Sequence, residues 1–230
     1  MNFFFKPALK YFLIIVVTLA MGFSVWLLPH GTKKRDESVS ITTPIDAKDE
    51  AGRYLQLASE NFFYHEFDRA IENYGKAITA FEKVNQLKNA AKVYESLGDL
   101  YKFRTKIKEA ESQYILAMEY HKKIKNPLGE ARAMGRAGDL FMEQGEHASA
   151  GDWYKKGVAL VKDLPPHKIQ AVLFENMGSI YWKIEDDIPE AILWYTRARD
   201  SFSALKNQMG YDHMTAVLNK LRGGQNLNTH

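Results

Sequence analysis

His30, His65, His121, His147, His167, His213 and His230 are the side chains of this 230-residue chain best suited to move protons or hold a metal. No two lie three or four residues apart, so none forms the pair that a zinc site on one helix requires. There is no cysteine, which removes thiolate catalysis, zinc–thiolate sites, disulfides and a lipid-carrying cysteine. The glycine patterns that cradle phosphates, G-x-G-x-x-G and the phosphate loop, are absent, as is the G-x-S-x-G nucleophile turn. The acidic run Glu185-Asp186-Asp187 stands ahead of Pro189 and reads as a solvated helix start rather than an acid/base pair. No catalytic residue, no metal and no cofactor is therefore expected, and the protein is not read as an enzyme. What remains is recognition by contact.

The elements that would position such contacts repeat. Tyr94-x-x-Leu97-Gly98-x-x-Tyr101 is followed by Ala110-x-x-x-Tyr114-x-x-Ala117. The pattern returns as Met134, Ala137, Gly138 and Phe141 with Ala150, Tyr154 and Gly157. It returns again as Phe174, Met177, Gly178 and Tyr181 with Ala191, Tyr195 and Ala198, and first occurs as Tyr54, Leu57 and Ala58 with Ala70, Tyr74 and Ala77. Ala58, Gly98, Gly138 and Gly178 are each 40 residues apart. Residues at i, i+3, i+4 and i+7 share one helix face, so each half-motif is an amphipathic helix. The small residues let a second helix approach closely, and Tyr74, Tyr114, Tyr154 and Tyr195 fill the space between, as core rather than as a ligand cage. A lone helix pair cannot bury such a stripe, whereas stacked neighbours can, and a fixed period of this length marks a solenoid. Met214, Val217, Leu218 and Leu221 form a last apolar stripe over 211–222, which reads as a cap ended by Gly223-Gly224.

These residues resemble the tetratricopeptide repeat family over roughly 47–222, in the form with a period near 40 residues. The resemblance implies an all-α fold, a right-handed α-solenoid of four helix-turn-helix repeats near 51–84, 91–124, 131–164 and 171–205, plus the capping helix. Asn61 departs from the aromatic expected in the first repeat, and the fourth carries one extra residue, since Gly178 to Ala191 is 13 where Gly138 to Ala150 is 12. The resemblance also implies binding on the inner face of the first helices. There the expected partner contacts are Phe62, Phe63, Lys92, Glu95, Asp99, Lys102, Phe103, Arg132, Arg136, Asp139, Met142, Glu175, Asn176 and Trp182. Balanced charge with aromatic anchors suits a protein or peptide segment. A chaperone-tail clamp is disfavoured, because Leu55 and Ser59 stand where its first-repeat Lys and Asn would be, although Arg132 and Arg136 match its third-repeat positions.

Net charge is +3, from 31 basic and 28 acidic residues, which argues against a nucleic-acid partner. Beyond the repeats, 1–10 reads as a tail and 11–28 as an uncharged 18-residue run long enough for a transmembrane helix. Polar 29–46 reads as a linker, with Asp46 offered as the first N-cap, and 223–230 as a flexible tail. The expectation is a single-pass membrane protein, with the repeats on the periplasmic side of a bacterial inner membrane, acting as a tethered interaction module; the alternative is a constitutive structural or assembly subunit of a membrane protein complex.

Overall fold

The structure is a computed structural model and describes residues 47–227. Nine α-helices occupy these residues, with no strand among them. They are α1 (Ala47–Phe63), α2 (Phe67–Lys83), α3 (Leu87–Phe103), α4 (Ile107–Lys123), α5 (Pro127–Glu143), α6 (His147–Val161), α7 (Lys168–Lys183), α8 (Ile188–Ala204) and α9 (Gln208–Leu227). The fold is an all-α, tetratricopeptide-like solenoid in which α1/α2, α3/α4, α5/α6 and α7/α8 pair and α9 packs on α8. The last helix runs through Gly223-Gly224 to Leu227 instead of stopping there. The expected tail, membrane span, linker and Asp46 cap over 1–46 lie outside the described residues. Among the described residues no helix is long and apolar enough to cross a membrane, and this corrects the expected single-pass membrane location with periplasmic repeats.

The 40-residue period divides into two equal halves of 20. Each full half is a 17-residue helix followed by a three-residue turn. The middle residue of each turn is left-handed, at His65, Asn85, Thr105, Lys125 and Gly145, with φ between 53° and 76°. At each turn the N–H of the following residue reaches back five residues, as Glu66 N–H to Asn61 O and Lys106 N–H to Tyr101 O. The left-handed residue reaches back three, as Thr105 N–H to Lys102 O. This doublet satisfies the orphan carbonyls of the ending helix and turns the chain sharply back. The next place in the series is Pro165, whose ring forbids a positive φ. There α6 stops at Val161, and a six-residue connection leads to α7. The buried Gln170 amide repairs the break by donating to the carbonyls of Val161, Lys162 and Leu164 at 2.7, 3.3 and 3.2 Å. Asp186 and Lys206 resume the rhythm one residue late.

Three of the four pairs close over a glycine, at Gly98, Gly138 and Gly178. A methyl group on Gly98 would sit 2.5 Å from Tyr114 Cε1, and one on Gly138 2.3 Å from Tyr154 Cε1. The tyrosine rings therefore lie directly on the backbone of the facing helix. Their hydroxyls pass beyond it and donate to the residue after the glycine, Tyr114 to Asp99 at 2.8 Å and Tyr154 to Asp139 at 2.7 Å. Ser179 and Tyr195 make the corresponding bond at 2.9 Å. Buried Ala58, Ala70, Ala77, Ala110, Ala117, Ala131, Ala137, Ala150, Ala171, Ala191 and Ala198 line the other close approaches.

Two stability measurements test this account. Gly138→Ala should destabilise by about 1–3 kcal/mol in urea unfolding, because the ring of Tyr154 must move to admit one methyl group. Thr105→Gly should stabilise by about 1 kcal/mol, because a β-branched residue with φ 56° is strained where glycine is not.

Candidate functional site

Four helices, α1, α3, α5 and α7, carry the stripe expected to meet a partner. Most of its polar residues on α3, α5 and α7 are paired with each other across repeats. Arg132 on α5 grips Glu95 on α3 through two bonds, Nε to Oε2 and Nη2 to Oε1, both 2.8 Å. One turn on, Arg136 donates from Nη1 to Asp99 Oδ2, and its Nε lies 3.2 Å from Glu95 Oε2, too poorly aligned for a hydrogen bond. On the next pair of helices Asn176 Nδ2 donates to Asp139 Oδ1 at 3.2 Å. All three links join residues 37 apart in the chain. Glu175 and His213 of α9 stand 3.6 Å apart in the same sense. Lys102 meets Glu143 at 2.7 Å. The spacing is one repeat less about one helical turn, as expected for neighbouring helices offset along their axes.

Glu95 is the centre of the arrangement and departs from the solvent-facing role expected of it. It is only 3% exposed. Besides the two arginines it accepts from His121 Nε2 at 3.0 Å, a fully buried ring on α4. Burial works to raise the Glu95 carboxyl, but the bonds from His121 and Arg132 and the charges of Arg132 and Arg136 outweigh it and hold the group below its ordinary value. Asp139 and Glu175 are different. Burial dominates both and pushes them up, against the Tyr154 bond in one and His213 in the other.

Phe62 and Phe103 sit at the ends of α1 and α3 with ring centroids 5.5 Å apart, and Phe67 completes the cluster at 5.9 and 5.5 Å. Phe103 remains 58% exposed and Phe63 75%. Lys92 is exposed on α3. Met142 and Trp182 are half-buried against the core. Trp182 stands edge-on to Tyr195, with Lys183 and Lys220 Nζ 5.8 and 5.3 Å from its ring centre. The structure thus brings Glu95, Asp99, Arg132 and Arg136 into one cluster, Asp139 and Asn176 into a second, and Phe62 and Phe103 into a third. Lys92 joins none of these clusters. Sequence reasoning missed His121, His213 and Lys220, and took the tyrosines as apolar filling without their hydroxyl bonds. The 37-residue spacing from acid to arginine, at Glu95/Arg132 and again at Asp99/Arg136, was the available signal. Among the described residues no group of three or more His, Asp or Glu could hold a metal ion.

The Glu95 cluster has a pH signature. A carboxyl held below its ordinary 4.5 in the folded chain contributes stability that is fully present above 4.5 and is lost as pH falls below it. Glu95→Gln removes the charge both arginines face and should cost about 2–3 kcal/mol at neutral pH. Urea midpoints between about pH 7 and about pH 3 should show the variant losing less on acidification than the parent chain; parallel curves would contradict this.

The surrounding fold has known counterparts. RapI, in its apo form, superposes over 79% of this chain with a TM-score of 0.66 at 15% identity. This chain spans half of RapI's length. The N-terminal domain of stress-induced protein-1 from C. elegans is 21% identical, over 58% of this chain and 98% of its own, with a TM-score of 0.46. No curated protein matches the chain. The RapI likeness establishes the tetratricopeptide-like repeat fold. The family model described as soluble NSF attachment protein, SNAP, matches residues 37–156, which is 120 of the 230. With more than half of its length so matched, the chain belongs to the soluble NSF attachment protein family.

Proposed function

We propose that the protein is an interaction module that holds a segment of a partner protein along the face formed by α1, α3, α5 and α7. The carrying observation is the exposure of Phe62, Phe63 and Phe103 beside a stripe whose charges are mostly matched within the chain. Apolar rings left in water at the edge of an organised polar surface favour contact with another molecule. The repeat fold supports the same reading, since stacked helix pairs offer a long surface and no catalytic constellation is needed to use it. The family name points the same way, because it describes a protein that attaches another. Phe62, Phe63, Phe103, Met142 and Trp182 supply apolar anchors in this reading. Lys92, Asn176, Glu175 and the outward edges of Arg132 and Arg136 supply the polar contacts, while Glu95, Asp99, Lys102 and Asp139 hold those groups in place. Because Arg132 and Arg136 already neutralise Glu95 and Asp99, the partner need not carry a strong charge of either sign.

Photo-crosslinking residues installed singly at positions 92, 103 and 182, and at Lys122 and Lys156 on second helices, separate the two faces. Crosslinks to one protein from 92, 103 and 182, and not from 122 and 156, are the expected result. With that protein purified, Phe103→Ala should weaken binding by about 2 kcal/mol, roughly thirty-fold, at unchanged helicity. Crosslinking confined to positions 122 and 156 would place the partner on the other surface and end this proposal.

A further inference from the structure

His121 is the one fully buried histidine among the described residues, and both of its ring nitrogens are engaged. The Asn126 side chain fixes their roles. Its Oδ1 accepts the Gly129 N–H at 3.1 Å and so caps the start of α5. Its Nδ2 then faces His121 Nδ1 at 3.1 Å and can only donate. Nδ1 is therefore an acceptor, and the ring proton sits on Nε2, where it is donated to Glu95. The ring cannot retreat from this arrangement. It lies against Gly129, where a single added methyl group would come within 2.3 Å of Nδ1.

We infer that His121 is a proton-operated latch on the first turn of α5: a second proton on Nδ1 and the Asn126 cap exclude each other. A proton taken from solvent at Nδ1 would set an N–H against the Asn126 NH2 group. Turning the amide over relieves that clash, but presents NH2 to the Gly129 N–H and removes the cap. The charged groups facing the ring come from two elements, Glu95 on α3 and Arg132 on α5, whose Nη2 is 3.5 Å from Nε2. Arg136 stands behind Glu95. Glu95 lies at Nε2 and the guanidiniums on the same side of the ring, so the group that meets a proton at Nδ1 is the Asn126 amide. Releasing the cap loosens the start of the helix that carries Arg132, Arg136, Asp139 and Met142. The latch rests on these hydrogen bonds alone and stands whether or not that helix meets a partner.

Amide hydrogen exchange on the full chain tests it, with rates converted to protection factors. Between about pH 7.5 and about pH 5.5 the protection of Gly129 should fall roughly fivefold or more, the worth of one N-cap. Glu190 is the internal control, because its N–H is capped by Asp187 at 3.0 Å with no histidine at that cap. Its protection should stay within about twofold. Asn126→Asp should abolish the Gly129 step, since a carboxylate accepts from Gly129 N–H and Nδ1–H together and remains a good cap. His121→Gln should also abolish it; if that variant does not fold, Asn126→Asp decides the matter alone. A flat Gly129 profile in the parent chain, an equal fall at Glu190, or a step that survives Asn126→Asp would each overturn the latch.

Discussion

Tyr114, Tyr154 and Tyr195 can cross the facing helix only because Gly98, Gly138 and Gly178 have no side chain. The ring then fills the space between two helices, and the hydroxyl emerges on the far side to meet Asp99, Asp139 or Ser179. One contact therefore sets the distance between paired helices and orients a polar residue on the partner-facing stripe of the first. A displaced ring would lose both at once. In the first repeat Ala58 stands in place of glycine, and the residue after it, Ser59, donates its hydroxyl to Leu55 O at 3.0 Å.

From that base the polar face is built between repeats. Arg132 and Arg136 reach back to Glu95 and Asp99, and Asn176 reaches back to Asp139. Half-exposed ion pairs contribute little to stability by themselves. Their geometric consequence is larger, because links at a common 37-residue separation hold consecutive first helices at one axial offset. Glu95 is the exception in burial. Two arginines, with His121 behind, surround a single carboxylate, so loss of any member leaves charge or a polar group without its partner. At the junction between α1 and α3, Phe62, Phe67 and Phe103 form an aromatic cluster. Along one surface an aromatic contact at the first junction thus gives way to polar links at the later ones, according to which residue each repeat places at the same position.

The repeat was legible because every helix pair meets the same packing problem with the same residue types. A small residue facing Tyr, with alanines a turn away, leaves a pattern visible in any copy. The start of α5 was legible too, since Asn126-Pro127 combines a capping side chain with a residue that needs no N–H. The 20-residue turn rhythm was hidden. Only Gly145 among its first five members is a glycine; Asn85 and His65 are types that tolerate a positive φ, but Thr105 and Lys125 bear side chains that do not advertise one. Their conformation is imposed by the backbone bonds of the turn and by packing of the helices it joins.

The sequence by itself determined the helix pairs, their period, the face each turns to its neighbour and the residue types along the opposite stripe. Those follow from 3.6-residue periodicity, which fixes a side chain's direction about its own axis. Tertiary structure decided which residues of that stripe meet water. Glu95 and Asp99 are one turn apart on the same face of α3, yet Glu95 is 3% exposed and Asp99 is partly open. The difference lies in α4 and α5, which close over Glu95 with His121 and Arg132. Burial depends on what a neighbouring helix lays across a residue, and the offset that determines this is set by contacts nearly 40 residues away in the chain.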